Sequence, residues 1–143
     1  VSKFKNLIIV KKQADEVEES NMLWKNSICN DLVLSQNFAV IKNKKICCYF
    51  SVSEIESYIN VSLIINQILF NGNLIKFICK YIFEQWPASH KIVLYLLRND
   101  WYGCYLAKVA GFTQEVVFRE HYRVNNKKVD CIVFTTFNNE VLS

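Results

Sequence analysis

The stretch NGNLIKFICKYIFEQWPASHKIVLYLLRNDWYGCYLAKVAGFTQEVVFREHYRVNNKKVD, from Asn71 to Asp130, decides the fold. It reads as a helix, a buried strand, a second helix, a Gly-Phe turn and a closing pair of strands. Asn71-Gly72-Asn73 punctuates the chain, and from Leu74 to Trp86 apolar residues recur at helical spacing: Leu74, Ile75, Ile78, Ile82 and Phe83. Pro87 ends that helix, because it has no N–H to give and its ring crowds the preceding turn. Lys91 to Leu97 is a nearly unbroken apolar run, the pattern of a strand covered on both faces. Trp101 to Ala110 is helical again, and Gly111 stands where a chain leaves a helix through a left-handed residue. Phe112 then begins two β-rich segments joined at Asn125-Asn126. A strand between helices, its end facing a helix start, is the usual seat of an anionic cofactor, since free N–H groups gather there.

Upstream, Phe4 to Val10 predicts a first strand bracketed by lysines. Ala14 to Ser20 and Met22 to Ile28 predict one or two short helices. Asn37 to Ile41 reads as a strand, Lys42-Asn43-Lys44-Lys45 as a tight turn, and Ile46 to Val52 as the hairpin partner. A third strand near Ser57 to Ile65 alternates Tyr58, Asn60 and Ser62 with Ile59, Val61 and Leu63. The order β, short helices, βββ, α, β, α, ββ predicts a mixed α/β fold: a central, mostly antiparallel mixed sheet with helices on both faces. No repeat, low-complexity segment or linker divides residues 1–143, so a single domain is expected.

Composition narrows the function classes. With 52% apolar residues, one proline and three glycines, the chain is expected to be globular and not disordered. A formal charge of +4, spread along the sequence, is too weak to imply nucleic acid and would suit an anionic cofactor. Val61 to Phe83 is long enough to raise a membrane question, but Asn66, Gln67, Asn71, Asn73, Lys76 and Lys80 interrupt it. The apolar run after Lys3 and Lys5 is too short for a signal peptide, and an opening Val1 fits a fragment or a processed chain. Six cysteines include no C-x-x-C, and only two histidines accompany them. Cys47 and Cys48 are adjacent in a strand and point to opposite faces, while Cys29, Cys79, Cys104 and Cys131 stand apart. Free, mostly buried thiols are therefore expected, with no metal and no disulfide, in a cytoplasmic setting.

The element order, and above all the residues from Leu74 to Phe137, resembles the GNAT family of N-acetyltransferases. Asp100-Trp101-Tyr102-Gly103 ahead of Leu106-Ala107-Lys108-Val109-Ala110-Gly111-Phe112 looks like the family's Asn, a small residue three later, then a Gly-Phe pair. Phe118-Arg119-Glu120 and Asn126-Lys127-Lys128-Val129-Asp130 look like the branch that acetylates protein N-termini or amino sugars. The resemblance implies acetyl-CoA as donor and a primary amine as acceptor. It implies that the third meander strand and the next strand splay, so that the cofactor arm reaches the backbone of Val61, Leu63 and Ile65 on one side and Leu94 to Leu97 on the other. Against the family's two-glycine phosphate loop stands Asn66-Gln67-Ile68-Leu69-Phe70-Asn71-Gly72-Asn73, with one glycine. Gln67, Asn71, Gly72 and Asn73 are its phosphate-binding candidates, in a loop that carries an insertion or is degenerate. A helix N-terminus supplies N–H groups in either case. The arm-contacting Asn falls on Asp100, or on Asn99 after a one-residue slip, with Gly103 as the small residue. Ala107 stands where many relatives carry the tyrosine that protonates the thiolate. Tyr105, two residues earlier and so turned by about 160–200°, is the candidate acid or a packing residue.

Acyl transfer from a thioester needs a neutral amine, a polarised carbonyl and a protonated leaving thiolate. Glu54 and Glu56, flanking the Ser53–Ser57 turn, are candidates for the base, the alternative being solvated turn residues. Tyr58 could orient substrate or simply sit on the sheet. His90 is expected at the surface, His121 near the acceptor site or half-exposed on the hairpin, and Arg119 in a carboxylate pair. Lys42, Lys44 and Lys45 form a solvated turn that could attract the adenosine phosphate. Two further readings compete: a non-catalytic module of the same fold, and a transferase for a longer acyl group. The partners expected are an amine acceptor, no nucleic acid and no membrane, with homodimer formation open.

Overall fold

The computed structural model describes residues 6–20, 22–66 and 71–138. Among the described residues, eight strands and two α-helices follow one another as β1 (Leu7–Lys12), β2 (Trp24–Lys25), β3 (Gln36–Lys42), β4 (Lys45–Ile55), β5 (Tyr58–Ile65), α1 (Asn71–Gln85), β6 (Lys91–Leu97), α2 (Trp101–Val109), β7 (Thr113–Val124) and β8 (Lys127–Phe137). A 3-10 turn at Ala14–Glu16 lies between β1 and β2. The main path of the sheet runs β1-β3-β4-β5-β6-β8-β7, with β2 attached to β5. Every neighbouring pair is antiparallel except β5 and β6, which α1 connects.

Period-two alternation sorts the strands into two faces. Phe38, Val40, Cys48, Phe50, Val52, Ile59, Val61, Leu63, Ile65, Ile92, Leu94 and Leu96 form one buried face. The stripe Leu74, Ile75, Ile78, Cys79, Ile82 and Phe83 seats α1 on it, and Leu106, Ala107 and Ala110 seat α2 there too. Each large apolar side chain so buried contributes roughly 1.5–3 kcal/mol. Phe38 stacks on Phe50 at 5.0 Å, and Tyr81 from α1 closes edge-on over both. The mostly antiparallel mixed sheet expected from the sequence is present, but both α-helices share this one face. Parts of the irregular chain before and after β2 lie across the opposite face. There Val17 packs with Ala39, Tyr49 and Ile64, and Asn30 bonds to the sheet.

Local signals place the turns well. Asn43 and Lys44 take φ of 52° and 65° between β3 and β4, and Asn125 and Asn126 take 50° and 65° between β7 and β8, the paired left-handed residues of two-residue hairpins. Gly111 sits at φ 90°, with the N–H of Phe112 donating to the Ala107 carbonyl (2.9 Å), so α2 ends as the sequence indicates. Two expectations need correction. Met22 to Ile28 is no helix: it contributes β2 and a bend, because its backbone groups find partners on β5 instead of within a turn. Ala14 to Ser20 yields only the 3-10 turn. Phe4 and Lys5, the start of the expected first strand, lie outside the described residues.

Candidate functional site

The pairing of β5 with β6 is short. Tyr58, Ile59 and Asn60 pair with Lys91, Ile92 and Val93, and beyond Asn60 the strands part. From that point the β6-side edge of β5 would be left without partners inside the protein, which buried backbone groups rarely tolerate. Residues 23–27 of the chain itself take that edge. The Leu23 N–H donates to the Ile65 carbonyl (2.7 Å) and the Asn26 N–H to the Leu63 carbonyl (3.0 Å). The Leu63 N–H donates to Asn26 Oδ1 (3.0 Å), and Asn26 Nδ2 donates to the Tyr95 carbonyl on β6 (3.2 Å). The Leu97 N–H donates to Ser27 Oγ (2.8 Å). Asn26, only 2% exposed, thus spans the gap as a clamp, binding β5 and β6 at once.

Two residues earlier, Trp24 seals the helix side of the gap. Its indole Nε1 donates to Asp100 Oδ1 (3.0 Å), which also accepts from the Gly103 N–H (3.0 Å) and so caps α2. A Cβ on Gly103 would come within 2.6 Å of Asp100 Oδ2 and 2.7 Å of Trp24 Cζ2, so glycine is what lets indole and carboxylate pack against the helix. Tyr102 meets Trp24 edge-on at 6.2 Å and stacks on Tyr105 at 6.4 Å, making an aromatic row along α2. Asp100 Oδ2 and Asn66 Oδ1 are buried and unpartnered among the described residues. They lie on the segments that follow β6 and β5 respectively.

The site residues expected from sequence separate into groups. Val61, Leu63 and Ile65 lie on β5 beyond the parting, and Asp100 and Gly103 lie at the start of α2; of these Leu63, Ile65, Asp100 and Gly103 meet residues 23–27. Asn99 is exposed just ahead of them. Gly72 is buried in the first turn of α1, where a Cβ would overlap Val109 Cγ1; its glycine is required by the approach of α2 to α1. Asn73 is exposed beside it, Asn71 heads the helix, and Gln67 lies outside the described residues. Glu54 and Glu56 stand apart from these, at the paired end of β5. Glu54 Oε1 accepts from Trp86 Nε1 (2.8 Å), and Glu56 forms the β4–β5 turn at φ 51°. Tyr105 is 56% exposed on α2, and Tyr102 stands between it and Trp24.

Other titratable groups are held by their surroundings. Burial pushes the Tyr95 phenol up to about 12, reinforced by its hydrogen bond with Tyr58, whose ring lies 5.7 Å from Lys91 Nζ. Burial alone pushes Cys79 up to about 12, and burial with the adjacent Cys47 raises Cys48. Arg98 Nη1 donates to Asp130 Oδ2 (2.8 Å), while Arg119 is exposed in the β7 bulge, where the Glu120 N–H donates to Asp130 Oδ1 (2.8 Å). His90 stacks on Phe137, and His121 lies beside Phe118 and Tyr122 on the β7–β8 hairpin. Lys44 and Lys45 are exposed in their turn. Among the described residues, no three His, Cys, Asp or Glu side chains gather to hold a metal ion, and no helix is long and apolar enough to cross a membrane.

Sequence reasoning missed Trp24, Asn26, Ser27 and Tyr102. The segment that carries the first three has no period, and its contacts are polar bonds to groups far away in the sequence. A buried Asn between two strands leaves no local signal.

No family model matches the chain, and no curated protein matches it by sequence. Solved structures do match. A spermidine N-acetyltransferase of Vibrio cholerae, solved in complex with CoA and spermine, aligns at 20% identity and TM-score 0.68 over 77% of this chain and 69% of that one. A spermidine/spermine N-acetyltransferase structure from the same organism, with manganese ions, aligns at 15% identity and TM-score 0.76 over 99% and 98%. A GNAT-family acetyltransferase from Bacillus anthracis aligns at 14% identity and TM-score 0.62 over 72% and 66%. The chain therefore has the fold of GNAT acetyltransferases.

Proposed function

We propose that this protein is an N-acetyltransferase that uses acetyl-CoA to acetylate a primary amine. The observation that carries the reading is the parting of β5 from β6 after three ladder pairs, directly ahead of the segment leading into α1. In a sheet of this topology such a parting releases a row of backbone donors and acceptors from the ladder, and the amides of an extended cofactor arm match that row. Val61, Leu63 and Ile65 would supply that row, Gly103 the close approach of α2, and Asn71, Gly72 and Asn73 the helix N-terminus for the phosphates. Asn99 and Gln67 remain flanking candidates. Glu54 or Glu56 as base and Tyr105 as acid belong to the same reading; none of the three touches the parting of the strands. The acceptor is an amine, and the named substrates of the Vibrio enzymes put polyamines beside protein N-termini and amino sugars as the first to try.

The slot and the donor do not fit as the residues stand, because residues 23–27 hold the backbone groups the arm would use. That observation favours a second reading, a non-catalytic module of the same fold. Calorimetric titration with acetyl-CoA and with CoA, followed by thiol release in the presence of spermidine, an amino sugar and a short peptide, separates the two. Saturable binding and amine-dependent thiol release support the transferase. Absence of binding at millimolar cofactor, in the native chain and in one whose slot has been opened, supports the module.

A further inference from the structure

We propose that residues 22–30 are a self-inhibitory strap, which occupies the donor slot between β5 and β6 and must swing out before a thioester cofactor can enter. The proposal rests on the transferase reading above, and concerns how its site is regulated. Its geometric basis is substitution of like for like. The Leu23 and Asn26 N–H groups occupy the Ile65 and Leu63 carbonyls, and Asn26 Oδ1 occupies the Leu63 N–H. Those are amide groups satisfying a strand edge, the same chemistry that a pantetheine arm offers. Trp24 fills the space over Gly103 and occupies Asp100.

The strap is built to leave. Apart from Trp24 and the ion pair of Lys25 with Glu19 (2.8 Å) it is held by hydrogen bonds, which water replaces when a segment opens. Little apolar surface is covered by its seating: its own Met22 and Leu23 stay 44% and 58% exposed, and Val33 and Leu34, at the turn beyond it, 80% and 81%. Apolar side chains left in water on both sides of a polar clamp lower the cost of a second arrangement that covers them. Removal would also bare Asp100, one of whose buried oxygens has no partner among the described residues, and the edges of β5 and β6. The strapped state is then the resting state, and the cofactor binds the fraction of molecules in which the slot is open. The apparent dissociation constant is raised by the reciprocal of that fraction.

The test is hydrogen exchange of the native chain during titration with CoA, joined to calorimetry on the native chain and on a Trp24→Ala, Ser27→Ala variant. The expected result is that the Leu23 and Asn26 amides lose protection as CoA saturates, while amides within α1 keep theirs. The variant should bind CoA about ten- to a hundredfold more tightly than the native chain. Should CoA bind the native chain with the strap amides still protected, the strap is overturned and the transferase reading stands. Equal affinity of native chain and folded variant overturns it as well. If neither folded protein binds CoA, the transferase reading falls and takes the strap with it. Should the variant fail to fold, exchange in the native chain alone decides.

Discussion

The two ends of β5 make an instructive pair. At its start, Tyr58, Ile59 and Asn60 are locked between β4 and β6 in ordinary ladders. At its finish, Leu63 to Ile65 face β4 on one side and a borrowed segment on the other, with Asn26 standing where a strand would be. Both ends satisfy their backbone. The first end does so with partners that the fold cannot exchange without unfolding, the second with partners that can be returned to water. A sheet can therefore be equally well bonded along its length and still differ greatly in how readily each part opens.

That contrast can be broken most severely from the helix face. Ile78→Ala, at a site with 1% exposure under α1, should cost about 2–5 kcal/mol in urea unfolding, because the cavity cannot refill from packed neighbours. Gly72→Val should cost about 1–3 kcal/mol through overlap with Val109. It should destabilise the chain whether or not cofactor is present, so loss of CoA binding in that variant would say little about phosphates. At the opening end, Asn26→Ala removes bonds to both strands and leaves the Leu63 N–H without its acceptor; the expected cost, about 1–3 kcal/mol, is comparable, but with exchange protection lost at Leu63 and Leu97 before α1. Protection lost everywhere at once would erase the distinction between the two ends. Asp100→Ala, which removes a helix cap and the indole's acceptor, should cost about 0.5–2 kcal/mol and redden Trp24 emission as the ring meets water.

Alkaline pH sharpens the comparison with the smallest effect. Cys79 and Tyr95 are each held up to about 12, against ordinary values of 9.0 and 10.0, so the native state keeps protons that the unfolded chain releases. Their contribution is full below pH 9 and declines as pH rises from 9 towards 12. Melting temperatures measured across that range should fall steadily, and thiol titration of the native chain at pH 8 should find the exposed Cys29 well ahead of buried Cys48 and Cys79.

The parts of this fold that are readable from sequence are those written in periods and punctuation. The stripe from Leu74 to Phe83, the run from Lys91 to Leu97, Gly111 after α2 and the Asn125-Asn126 turn each follow from local sterics or from burying one face, and each stands where the sequence places it. Both helices on one face was not readable, since an apolar stripe says that a helix is covered without saying by which side of a sheet. The reason for Gly72 was likewise hidden: a glycine before a helix suits a phosphate loop and a close helix contact equally, and only Val109 decides. Least readable was the occupant of the slot. Trp24, Asn26 and Ser27 act through single bonds to residues about forty to seventy-six positions away. The sequence determined the elements, because their energetics are local and repeat along the chain. The tertiary structure alone decided what fills the gap between β5 and β6, because that depends on which distant polar group reaches an unpaired backbone edge.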